Sequence, residues 1–136
     1  MNNYQVGSLF SLDVSFTQAD VDSYAKLTGD LNPIHYDNEY AAKTIFHKPV
    51  IHGMYASSIF SRILGMEFPG EGTIYCNQNI KFKRPMFVKI AYLAVCEIKD
   101  IDKEKHRAII QTSIIEKESG EIVIAGEAMV QNEEFA

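Results

Sequence analysis

Tryptophan is absent, cysteine occurs twice and proline four times in 136 residues, and no apolar run approaches the roughly 18 to 20 residues that span a bilayer. The opening MNNYQVGSLF also lacks a basic segment followed by an apolar core. Neither export nor membrane insertion is expected, and a cytoplasmic protein is. Cys76 and Cys96 stand singly inside strand-like runs, without CxxC spacing, so two buried thiols are expected rather than a disulfide or a metal site. Basic residues are too few to suggest a nucleic-acid partner: 13 Lys and Arg face 18 Asp and Glu, for a formal net charge of -5. That balance still permits a small basic patch for a charged ligand.

What is present suits one domain over residues 1–136, with 46% apolar residues for a single core. TQADVDSYAKLTG predicts a helix: Thr17 can cap it with Asp20 three residues on, Val21, Tyr24, Ala25 and Thr28 share one face, and Gly29 can end it. DNEYAAK can form a short helix capped by Asp37 or Asn38. After the break at Pro49 comes GMYASSIFSRILGM, apolar nearly all round, which predicts a long buried helix from Gly53. From residue 74 the period changes to two, with Ile74, Cys76, Ile80 and Phe82 alternating against polar neighbours. KIAYLAVCEI, HRAIIQTSII and EIVIAGEAMV predict three further strands joined by the polar loops KDIDKEK and EKESG, and SLFSLDVSF is a candidate first strand. This order predicts an α+β fold with one long helix lying across a curved antiparallel sheet.

The stretch LTGDLNPIHYD fits neither a helix interior nor a strand. On a helix, Asp30 and His35 would point about 140° apart. Pro33 has no N–H and disfavours the helical conformation for Asn32, so the chain must turn, and a carboxylate and an imidazole can then converge.

Tyr24, Leu27, Thr28, Gly29, Asp30, Asn32, Pro33, Ile34, His35 and Ala41 together resemble the signature of the MaoC-like, (R)-specific enoyl-CoA hydratases, also called hydratase 2. The likeness continues more loosely through KPVIHGM, KFKRPMFV and the final GEAMV. It implies a hot-dog fold, a homodimer, an acyl-CoA thioester as substrate and no cofactor beyond the coenzyme A of that substrate. One departure is FVKIAYL, where many relatives carry Gly-Asp and this chain has Lys89 and Ile90.

Hydration of a trans-2-enoyl thioester requires an activated water at C3, a proton at C2 and stabilisation of charge on the thioester oxygen. Asp30 and His35 can hold the water and exchange the protons, with either of the two serving C2. Gly53 opens the buried helix, where a backbone N–H and the helix dipole favour an oxyanion. Asn32 can pin the loop or orient the carboxylate. Ser57, Ser61 and Leu64 follow Gly53 at i+4, i+8 and i+11 and are expected along the acyl channel, and the resemblance brings Met129 to its wall, which favours short acyl chains. Lys81, Lys83 and Arg84 can meet coenzyme A phosphates or simply protect a strand edge. His47, His52, His35 and Asp37 lack compact metal-ligand spacing, and no GxSxG surrounds the serines. Two other readings compete: a dehydratase acting on acyl carrier protein thioesters, or a related hot-dog thioesterase, and a non-catalytic acyl-thioester binding subunit. Supply of a polyhydroxyalkanoate storage polymer, fatty-acid oxidation and fatty-acid synthesis could each use such a step.

Overall fold

The computed structural model describes residues 3–136. Strand β1 spans Leu9–Val14 and leads to Thr17, which starts helix α1, Gln18–Thr28. The Thr17 hydroxyl accepts the Asp20 N–H at 3.1 Å, and the Asp20 carboxylate accepts the Thr17 N–H at 2.9 Å. This capping box satisfies two N–H groups that would otherwise lack partners at the helix start. Gly29, at φ 78°, ends the helix by returning its N–H to the Ala25 carbonyl. A short helix α2, Asn38–Ala42, is capped by Asp37, whose side chain accepts from Tyr40 N–H.

Helix α3, Gly53–Met66, is the expected long helix. It lies on a five-stranded sheet completed by β2 Ile74–Phe82, β3 Tyr92–Asp102, β4 Arg107–Glu116 and β5 Ile122–Gln131. The strand order is β1-β3-β4-β5-β2, and every neighbouring pair is antiparallel. Ala56, Phe60, Ile63 and Leu64 of α3 join Ala94, Cys96 and Ile98 of β3, Ala108, Ile110 and Ile114 of β4, and Ala128 and Val130 of β5 in one buried cluster. Alternation along the strands puts these residues on one face, and burial of that apolar face holds helix and sheet together. This is the hot-dog arrangement, an α+β fold.

The strands are not a simple meander. β2 pairs with β5 at the far edge, so residues 83–91 must cross from one side of the sheet to the other before β3 begins. That crossing binds the helical layer on the way: Met86 O accepts Ile51 N–H at 2.8 Å, and Lys89 N–H donates to Phe16 O at 2.9 Å. Lys89 sits at φ 64°, the left-handed region where glycine is ordinarily used. The turn is therefore kept without glycine. β3 begins at Tyr92 rather than Lys89 and runs on to Asp102 through an irregularity between Ile98 and Asp100, so most of KDIDKEK is strand rather than loop.

Two expectations about burial change. Helix α3 buries one face only: Met54, Ser58, Ser61 and Met66 are exposed, because the sheet covers it from a single side. Cys96 is buried, and burial pushes its thiol up to about 12. Cys76, expected to be buried too, is exposed; it lies on edge strand β2 where the pairing with β5 slips between Tyr75 and Asn77. No helix among the described residues is long and apolar enough to cross a membrane.

Candidate active site

The loop leaving α1 is held by its own polar side chains. Thr28 Oγ1 accepts Asp30 N–H at 3.3 Å, and Asn32 Oδ1 accepts Ile34 N–H at 3.3 Å. The second bond makes Asn32 the cap of a single 3-10 turn, Pro33–His35, with Pro33 in the first position that its missing N–H suits. Gln18 on α1 donates to His35 O at 3.1 Å, and Val50 N–H donates to Ile34 O at 3.1 Å. The turn is thereby tied both to the first helix and to the segment entering α3.

His35 Nδ1 lies 2.8 Å from Val50 O. A carbonyl oxygen only accepts, so Nδ1 carries the proton and Nε2 of the neutral ring carries a lone pair. Burial lowers the His35 imidazole from its ordinary 6.5; His52 adds to the lowering, while the Val50 bond and the Asp30 carboxylate oppose it. Neutral His35, with its Nε2 lone pair, is the form of a base. The Asp30 side chain is 51% exposed, and its Oδ1 accepts Asn32 N–H at 3.4 Å. The side-chain donor atoms of Asp30, His35 and a third residue, His52, all lie within 4.8 Å of one another.

These three open into a cavity of about 460 Å³, which Asn32, Gly53, Phe82 and Met86 also line. Gly53 is the first residue of α3, so its N–H has no carbonyl one turn back to bond. A side chain there would have its Cβ 2.5 Å from the Phe82 ring, so glycine makes room for Phe82 rather than for open space. Lys83 and Arg84 line the exposed rim, and Arg84 pairs with Glu121 at 3.2 Å. Lys81 is turned to the opposite sheet face, paired with Ala125 while Phe82 pairs with Ile124.

The residues expected along the acyl channel separate. Ser61 lies in a neighbouring groove between α3 and β2, with Met54, Ser57, Tyr75 and Ile80. Leu64 is fully buried in the core. Met129 sits between inward-facing Ala128 and Val130, so strand alternation turns it to the outer face of the sheet. The cavity wall is formed instead by Phe82, Met86 and Ile124.

His52 is the residue that the sequence did not single out for this site. Its ring stacks on that of His35 with centroids 3.6 Å apart and planes 23° apart. Ring nitrogens bind metals along lone pairs in the ring plane, and in two stacked rings those directions run nearly side by side. The pair therefore cannot converge on one ion at about 2.0 to 2.1 Å without tilting apart. Its contact with Asp30 spans 22 positions, and its place immediately before Gly53 gives no local sign of it.

A MaoC like domain model matches residues 4–119. The chain is 38% identical to the (R)-specific enoyl-CoA hydratase of Aeromonas caviae over 127 residues, 93% of this chain and 94% of that one. It is also 38% identical to a mitochondrial 3-hydroxyacyl-[acyl-carrier-protein] dehydratase of Solanum lycopersicum, covering 93% of this chain and 76% of the other. The solved structure of the (R)-hydratase from A. caviae involved in PHA biosynthesis superposes with a TM-score of 0.90 at 37% identity, over 96% of this chain and 98% of that one. With most of its length matched by the domain model and its fold reproduced at that level of identity, the chain belongs to the MaoC-like domain family.

Proposed function

We propose that this protein is a hydro-lyase that adds water to trans-2-enoyl-CoA to give (R)-3-hydroxyacyl-CoA. The observation that carries the reading is the fixed tautomer of His35: its Nδ1–H is spent on Val50 O, leaving Nε2 as a base in the cavity that Asp30 and the start of α3 share. A water held between His35 Nε2 and the Asp30 carboxylate gives up a proton as its oxygen bonds to C3. The C2=C3 π electrons shift towards the thioester, and the charge on the thioester oxygen is met by the Gly53 N–H at the positive end of α3. A proton from the Asp30 and His35 pair then reaches C2. One water is consumed, and the step balances without a further cofactor.

Lys83 on the cavity rim is suited to a phosphate of coenzyme A, and Arg84 is available there on release from Glu121. Acyl carrier protein is the second carrier to consider, because the tomato relative is a dehydratase of carrier-protein thioesters. Both carriers present the thioester on the same kind of pantetheine arm. The protein works as a homodimer in this reading: β2 is an unprotected sheet edge with Ile74, Tyr75 and Phe82 exposed, and Met54 is exposed on the adjoining face of α3.

The test is incubation with crotonyl-CoA and with the matching carrier-protein thioester, followed by loss of the enoyl absorbance and by the chirality of the product. (R)-3-hydroxybutyryl-CoA supports the reading, and an (S) product or no turnover with either carrier overturns it. Sedimentation at micromolar concentration tests the dimer.

A further inference from the structure

His52 is 2% exposed, yet the hydration chemistry above does not require it to touch substrate. Its ring packs between Tyr24, at 4.8 Å and 62°, and His35, at 3.6 Å and 23°. Its Nε2 lies 3.2 Å from the Asp30 carbonyl oxygen and 3.9 Å from Asp30 Oδ2. Because the carbonyl can only accept, Nε2 is the protonated nitrogen, the reverse of the tautomer that Val50 imposes on His35. Nδ1 is buried with no hydrogen-bond partner. A buried polar atom without a partner costs about 1 to 3 kcal/mol, so a ring serving only to fill space would be better made of carbon. The backbone of His52 continues directly into Gly53.

We propose that His52 is the positioning residue of the site, its Nε2–H holding the Asp30 backbone while its ring face fixes the plane of His35. The inference deepens the hydratase reading and rests on it for its kinetic part. One side chain then sets the spacing between the carboxylate and the imidazole: the His35 end of the loop is tied by Gln18 and Val50, whereas the Asp30 end is otherwise held by exposed turn bonds. Placing both groups within reach of one water is worth a large factor in rate, and a misplacement of about 1 Å can cost about 10²-fold.

The experiment compares wild type with His52→Phe, His52→Gln and His52→Asn, reading kcat and KM for crotonyl-CoA, melting temperature, and histidine tautomers by long-range ¹H–¹⁵N spectra. Phe keeps the ring and loses the donor, Gln carries an N–H at the reach of Nε2, and Asn carries one only at the reach of Nδ1. Expected are a fall in kcat of about tenfold or more in His52→Phe, the scale of one lost hydrogen bond to a critical group, with KM and melting temperature near wild type. His52→Gln recovers most of kcat and His52→Asn does not. Wild-type kcat in His52→Phe, or equal recovery by Asn and Gln, overturns the proposal. If the phenylalanine variant does not fold, the Gln and Asn pair decides alone. The spectra stand apart from activity: wild-type His52 protonated on Nε2 and His35 on Nδ1 supports the arrangement, and His52 protonated on Nδ1 overturns it even in a protein that fails to hydrate enoyl-CoA.

Discussion

The turn Pro33–His35 and the segment Val50–His52 each end in a histidine, and each histidine bonds to a backbone carbonyl, yet the outcomes are opposite. His35 uses Nδ1 and keeps Nε2 for the cavity; His52 uses Nε2 and hides Nδ1. The difference lies in which nitrogen meets the carbonyl. In the proposed reading one residue type yields a base in the first segment and a brace in the second; His35 bonds Val50 O of the second segment, and His52 bonds Asp30 O just ahead of the first. Neither segment is complete without the other.

Removing the base is the most damaging way to break this pairing. His35→Ala and Asp30→Asn should each lower kcat by at least about 10²-fold while leaving the fold intact by circular dichroism. If the two act on one water, the double variant should lose far less than the product of the single losses in steady-state assays. Protonation removes the same lone pair reversibly. With the folded His35 held below 6.5, the acidic limb of kcat/KM should fall below that pH, by about tenfold per pH unit at its steepest. The stability sign follows from the same shift: the unfolded chain takes up the proton first, so the contribution of neutral His35 is complete above about pH 6.5 and is lost as pH falls towards the folded value. Denaturant midpoints across that window check it.

Smaller changes sharpen the comparison by loosening only the first segment. Asn32→Ala removes the cap of the 3-10 turn and should cost about 1 kcal/mol of stability, with partial recovery in Asn32→Ser, both read from denaturant titrations. Gln18→Ala loses its bond to His35 O together with an exposed bond to Asp22 Oδ1 and should cost about 0.5 kcal/mol, with kcat changing less than in Asn32→Ala.

Local rules carried much of this into the sequence. The Thr17 and Asp20 capping box, the Gly29 stop and the start of α3 at Gly53 depend on neighbours a few residues away, and all three lie where the sequence puts them. The turn forced by Pro33 does bring Asp30 and His35 into one cavity. What was hidden depends on distant partners. The exposure of Cys76 follows from β2 being an edge, which is set by its pairing with β5. Met129 faces outward through strand alternation that a resemblance to GEAMV cannot supply. His52 acquires its role from Asp30, 22 positions earlier, and a histidine before a glycine carries no local mark of that contact. At Lys89 the crossing segment enforces a left-handed turn that local propensity opposes.

The contact between Gly53 and Phe82 has a consequence for how such chains can change over time. The Phe82 ring occupies the place of any side chain at position 53, so the two sites behave as one volume shared between residues 29 positions apart. A methyl group at 53 requires the half-exposed Phe82 ring to turn aside or the residue at 82 to shrink. Among descendants of this sequence, alanine at 53 should therefore be found in company with a smaller residue at 82 or with its ring swung out of the cavity wall.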